Sequence, residues 1–233
     1  MASIFSEPFD TVPGGVAVST ANTVFDLVSI SGSSAFVGAT GTLKNNGARI
    51  DASAAGVSGR ASWTAVTSNY HRLYLRLSSY PSANMGIMSI RSAVTVRANI
   101  QLSPSGIVRV RDGLVLSASS TNVLPLNQWV RLEWFWDSAG GTQAVRIYIG
   151  ANLHSPSTYT ELVMASVSSG SADNSTVGVL DGITIPNFQI DEYAVDDGTW
   201  VGPVMLSTNS WLKHAVSGSW QNATAHNLSG GSW

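Results

Sequence analysis

The chain has 233 residues and no cysteine, which excludes a disulfide scaffold, a thiol nucleophile and a cysteine-ligated zinc site. Charged residues make up 11%, against roughly 25% in an average soluble domain, so long solvated helices laced with Glu–Lys pairs are not expected. A formal net charge of −2 gives no reason to expect nucleic acid or an anionic membrane as a partner. No run of about 18 apolar residues occurs, so no helical membrane span is expected. The opening MASIFSEPFD lacks a basic segment and an apolar segment, so no signal peptide is expected, and synthesis in a cytoplasm is.

Alternation with a period of two dominates the chain and predicts antiparallel sheets with one wet side. Leu73, Leu75 and Leu77 alternate with Arg72, Tyr74 and Arg76. Val94, Val96, Ala98, Ile100 and Leu102 alternate with Thr95, Arg97, Asn99 and Gln101. Ser103-Pro104-Ser105-Gly106 predicts a turn into the run of Val108 and Val110 with Arg109 and Arg111, and Asp112-Gly113 predicts a tight hairpin. Val130, Leu132, Trp134 and Trp136 form the apolar phase of the next run, and Asp137 to Gly141 separates it from Val145, Ile147 and Ile149 around Arg146 and Tyr148. No segment carries a capped helical stripe. The expectation is an all-β sandwich with almost no helix.

Gly and Pro punctuate the chain between Asp196 and Pro203, which predicts a sandwich over 1–203 and a separate element over 204–233. The second stretch contains a degenerate repeat. Ala215 to Trp220 and Asn227 to Trp233 each read as an apolar residue, a Ser-Gly turn and Ser-Trp, and Trp211 ends a weaker copy. Two small hairpins fit this pattern. Lone hairpins are marginal in water, so Trp211, Trp220 and Trp233 are expected at an assembly interface.

Catalytic strings are missing: there is no nucleophile elbow, no zinc-protease helix, no Walker loop and no dinucleotide fingerprint. His71, His154, His214 and His226 show no ligand spacing and read as surface or loop residues. Glu133 and Asp137 share a strand face, but four residues at about 3.3 Å each put them about 13 Å apart, beyond the roughly 5–9.5 Å of a glycosidase pair. No catalytic residue is assigned and no enzymatic activity is expected. The charge distribution is more informative. From Arg60 to Arg146 there are nine arginines and three acids, a net of +6 inside a chain that totals −2. Arg72, Arg76, Arg97, Arg109, Arg111 and Arg131 take the polar phase of successive strands, with Tyr74 and Tyr148 in the same phase. They could share one sheet face whose guanidinium forks and rings suit an anionic cell-wall glycan, a phosphate-rich wall polymer or an acidic protein partner, against ordinary solvated strand faces.

Leu126 to Trp134, Gly140-Gly141 and Val145 to Gly150 together resemble the central signature of concanavalin A-like, laminin-G-type jelly rolls. Phe188 to Val195 resembles their closing strand, and Phe5 to Asp10 the entry strand that pairs beside it. The resemblance covers residues 1–203 and implies a jelly-roll sandwich with a short β-rich C-terminal appendage. Such domains often carry a rim calcium, which makes Asp191 and Glu192 candidate metal ligands, against a carboxylate tied to backbone amides or an arginine. Val18 to Asp26, read as a second strand, the Ser/Ala/Gly/Thr-rich composition and the Trp-ended repeats are similar to jelly-roll modules of tail and other virion proteins of phages infecting actinobacteria. That resemblance implies a non-enzymatic virion protein, a minor tail protein with a lectin-like module. Its implied partners are other virion proteins, host-surface glycan and its own copies in a homotrimer. The alternatives are a capsid decoration protein and a glycan-processing hydrolase.

Overall fold

The alternating runs form strands because burying one phase removes apolar side chains from water while the ladder pairs every backbone amide. The computed structural model describes residues 5–7, 9–10, 12–40, 43, 46–52, 56–204, 213–216 and 219–222. Its contacts divide the chain into two units, Met1–Pro203 and Val204–Trp233. In the first unit, β1 is Phe5–Glu7, β2 Leu27–Ile30, β3 Ala35–Thr40, β4 Asn46–Ala52 and β5 Val57–Val66. Next come β6 Ser68–Arg76, β7 Met85–Ser92, β8 Thr95–Leu102, β9 Ile107–Asp112 and β10 Val115–Val123. The series ends with β11 Trp129–Asp137, β12 Thr142–Ile149, β13 Glu161–Ser166, β14 Ala172–Val179 and β15 Ile185–Asp196. A single turn of 3-10 helix, Gly150–Asn152, follows β12.

One sheet has eight strands in the order β13-β12-β11-β6-β15-β4-β3, with β1 added antiparallel to β15. The other has seven, in the order β10-β9-β8-β7-β14-β5-β2. The chain changes sheet at every connection except β3–β4, those from β7 to β10 and those from β11 to β13, so the two sheets make an all-β jelly-roll sandwich. Their inner faces supply one core. Leu73, Leu75, Trp134 and Ile147 come from the eight-stranded sheet, and Ile90, Ile100, Val110 and Val177 from the seven-stranded one, all fully buried.

Turn chemistry sets the register. Gly113, with φ +55°, sits in the two-residue turn between Asp112 and Val115, which face each other across the β9–β10 hairpin. Val94 is not part of the β8 run. It lies in the β7–β8 turn and is 83% exposed, because the hairpin pairs Ser92 with Thr95. Val18 to Asp26 is not a strand but turns and bends leading to β2. Asn22 accepts the Ser19 amide there, an Asx contact that competes with sheet pairing.

His71 is a correction of a different kind. It is no surface histidine. It shares the inward phase of Leu73 and Leu75 and is fully buried. Its ring nitrogens lie 3.0 Å from Asn69 Oδ1 and 3.1 Å from the Tyr193 hydroxyl, which in turn meets Ser175 Oγ on the opposite sheet. A polar chain therefore stitches the two sheets through the core.

In the second unit, β16 Lys213–Val216 pairs antiparallel with β17 Ser219–Asn222. The first Trp-ended repeat spans this hairpin. The second repeat, and the side chains of Trp211, Trp220 and Trp233, lie outside the described residues.

Candidate functional site

The arginines do not share one face. Arg72, Arg76 and Arg131, with Tyr74 and Tyr148, lie on the outer side of the eight-stranded sheet, on β6, β11 and β12. Arg109 and Arg111 lie on the outer side of the seven-stranded sheet, on β9, while Arg97 is the extra residue of a bulge in β8, with its guanidinium against Gly170. The two outer sides of a sandwich point in opposite directions, so no single ligand engages both groups.

Most of the first group is also out of reach. Arg131, Tyr74 and Tyr148 are fully buried, and Arg72 nearly so. Two segments cover them. The stretch after β12 brings Ser155, whose carbonyl accepts from Arg131 Nη2 at 2.5 Å, and His154, whose ring stacks on Tyr74. The stretch after β15 brings the Gly202 carbonyl, which accepts from Arg72 Nη1 at 3.2 Å, and Trp200, whose ring lies 3.8 Å from the Arg146 guanidinium. Beneath this cover, Glu133 accepts the Tyr148 hydroxyl at 2.9 Å and stands 3.6 Å from Arg131 Nε. The Arg131 guanidinium stacks 3.6 Å over the Tyr148 ring. The outward phase of these strands is a buried ionic layer rather than a wet face.

Asp191 and Glu192 belong to the same layer. A bulge after Asp191 breaks the register with β6 and puts Glu192 at φ +50°. Glu192 Oε2 pairs with Arg72 Nη2 at 3.4 Å, and Asp191 Oδ1 accepts the Glu192 amide at 2.8 Å. A guanidinium already beside Glu192 opposes a second cation, and calcium needs about 6–8 oxygens. Among the described residues no group of three or more His, Asp or Glu side chains is placed to hold a metal. The pair fits the arginine-and-backbone reading.

Burial keeps the His71 imidazole neutral down to about 3. Burial, helped by the charges of Glu192 and Asp10, pushes the Asp191 carboxyl up to about 8. The unfolded chain protonates His71 below 6.5 while the native chain does not, so stability falls as pH drops from 6.5 towards 3. The native chain keeps a proton on Asp191 that the unfolded chain releases above 3.8, so stability falls as pH rises from 3.8 towards 8. Each slope is about 1.4 kcal/mol per pH unit, and the two oppose each other between about pH 4 and 6.5. In urea titrations, His71→Gln is expected to lose stability steadily from about pH 4 to 8, and Asp191→Asn to be flat above about pH 6.5. Profiles parallel to that of the parent would contradict this account.

The accessible polar site is on the seven-stranded sheet. A groove of about 250 Å³ crosses its outer side from Arg111 on β9 to Ser29 on β2. The cause is side-chain size. Across the sheet the outward positions in register are Arg60, Thr176, Ser89, Asn99 and Arg111. The next row contains Ser29, Ser58 and Gly178. Gly178 is required, because a Cβ there would stand 2.2 Å from the Val57 carbonyl oxygen. Short hydroxyl and amide side chains floor the middle, while longer ones, Arg91, Arg111 and Leu114, stand at the walls.

This floor is unusual for an outer face. Ser89, Asn99, Gln101 and Thr176 are each 8% exposed or less. Asn99 Oδ1, Thr176 Oγ1 and the Nε atoms of Arg91 and Arg111 are buried with no hydrogen-bond partner among the described residues. Buried polar groups are nearly always paired, and four such unpaired atoms lie along this groove. Arg60 is offset by Asp26, 3.4 Å away, but Arg91, Arg97, Arg109 and Arg111 have no ion-pair partner among the described residues. Asp181, the carboxylate of the lining, accepts the Gly86 amide at 2.6 Å. Of the residues expected from sequence to bind ligand, Arg111 lines this groove and Arg109 lies on the same sheet face, while Arg97 does not line it. Sequence reasoning missed Ser89, Asn99, Gln101, Thr176 and Arg91.

No protein-family model matches the chain, and no curated protein sequence does so significantly. Some solved structures resemble it in part. Domain 4 of the extracellular arabinanase AbnA of Geobacillus stearothermophilus, solved with arabinotriose, covers 85% of this chain and 94% of its own at 17% identity, with a TM-score of 0.48. The alginate lyase AlgAT5, of polysaccharide lyase family 7, covers 84% and 95% at 11% identity, with a TM-score of 0.45. Peanut lectin covers 72% and 94% at 11% identity, with a TM-score of 0.44. These likenesses concern the fold alone.

Proposed function

We propose that the first unit is a non-catalytic binding module that takes a segment of an anionic glycan in the groove of the seven-stranded sheet. The observation that carries this reading is the set of buried, unpaired hydroxyl, amide and guanidinium groups on the groove floor and walls. Sugar hydroxyls complement Ser, Thr, Asn and Gln, and an acidic substituent complements Arg91 and Arg111. The groove crosses six strands, which at about 4.8 Å spacing is about 24 Å, a length suited to a chain rather than one sugar. Support for a binding rather than a catalytic role comes from the lining, whose one carboxylate is already engaged by a backbone amide.

The setting we propose is a virion, with the module on a minor tail protein and residues 204–233 as an assembly element of a trimer. The sequence resemblance and the Trp-ended repeats support that setting. Calorimetry with the full chain tests the binding role. An acidic polysaccharide such as polygalacturonate is expected to bind with an affinity that falls as salt rises, since exposed charges are screened over about 8 Å at physiological ionic strength. A neutral polysaccharide is expected to bind more weakly. Equal binding of both, or of neither, would overturn the reading.

A further inference from the structure

We infer that the opposite side of the sandwich carries a second, independent saccharide site, built on Trp129 and selective for an acidic pyranose ring. The ionic layer of the eight-stranded sheet stops one row short of the sheet's end. In that last row Gln189, Arg76 and Trp129 face outward in register on β15, β6 and β11, and Arg76 and Trp129 are only half-buried. With Asn127, Gln128, Gly150 and Leu153, Arg76 and Trp129 line an open hollow of about 440 Å³.

Two features of this hollow point to a ligand. The first is the indole. Trp134 and Trp136 are core residues, and Trp63 and Trp200 contact other rings. Trp129 is not in the core and makes no ring contact among the described residues. A half-exposed aromatic face beside a hollow is a platform for the apolar face of a sugar ring, and the amides of Asn127 and Gln128 can bond its hydroxyls. Asn127 is in the left-handed region, φ +59°, and its backbone N–H donates to the Leu77 carbonyl at 2.7 Å. The wall is therefore set before anything binds. The second feature is charge. Arg76 Nη1 donates to the neutral Gln189 Oε1 at 3.3 Å, and Arg76 has no ion-pair partner among the described residues. A cation beside an indole selects a ring bearing a carboxylate or a comparable acid.

The site does not depend on the groove, so the two can be tested apart. The full chain would be titrated with methyl glucuronide and with methyl glucoside while the indole Nε1–H signal of Trp129 is followed by NMR, assigned from the backbone or with Trp129→Phe. The signal is expected to move saturably with the glucuronide and to need about tenfold more glucoside. Arg76→Gln is expected to bring the glucuronide to the glucoside's level, and Arg91→Glu in the groove to leave the titration unchanged. A Trp129 signal that ignores both sugars overturns the site. Equal response to both, or an Arg76→Gln variant that still prefers the glucuronide, overturns the acidic selectivity.

Discussion

Glu133→Ala is expected to destabilise the sandwich by about 3–5 kcal/mol, more than most core truncations of similar size. Glu133 is fully buried and stands between Arg72 on β6 and Arg146 on β12, its register partners, with Arg131 3.6 Å away on its own strand. Without it, three guanidinium groups face one another under the cover of the segments after β12 and β15, and the Tyr148 hydroxyl loses its acceptor. Burying an unpaired charge costs far more than a surface pair is worth. The ion pair itself need not stabilise: Arg131→Met with Glu133→Leu is expected to recover most of the loss, because an apolar pair of similar volume pays no desolvation. Urea denaturation at neutral pH measures both variants. A loss below about 1 kcal/mol for Glu133→Ala would mean that water reaches this layer.

Reversing two charges in the groove is expected to abolish glycan binding without unfolding the domain. Arg91 and Arg111 stand at the groove walls, with Nε atoms buried and unpaired and no acid offsetting either among the described residues. A charge-assisted hydrogen bond contributes about 1.5–3 kcal/mol, so losing two and adding repulsion lowers affinity by more than about a hundredfold. Arg91→Glu with Arg111→Glu should therefore show no calorimetric signal with polygalacturonate and keep a cooperative unfolding transition. Because neither arginine is in the core, the loss of binding cannot be assigned to packing. Binding retained within about threefold would place the glycan elsewhere.

How much of this was legible in the chain depends on what alternation encodes. A period of two fixes the phase of each strand, and the inward phase of β6, β11 and β12 emerged as expected, down to Trp134 and Trp136. Phase does not say which sheet a strand joins. Arg72 and Arg109 share the polar phase yet face opposite ways, because the chain changes sheet between β6 and β7. Phase also does not say what covers a face. The residues after β12 and β15 bury Arg131 and Tyr148, and nothing local to those residues reports it. His71 was the readable miss, since it sits in the same phase as Leu73 and Leu75. The groove was not readable. Ser89, Asn99 and Thr176 look like ordinary outward residues on three separate strands. Only the strand order β8-β7-β14 makes them adjacent and shows that short side chains meet between long ones.

The central claim is that ligand enters the groove between Arg91 and Arg111. The most direct measurement is an amide chemical-shift map of the full chain titrated with a galacturonate oligosaccharide. The account predicts saturable shifts clustered at Ser58, Ser89, Asn99, Gln101 and Thr176, with slower exchange of the Arg91 and Arg111 side-chain Nε–H signals. Unchanged shifts at all of these residues, with or without movement at other surfaces, would contradict it.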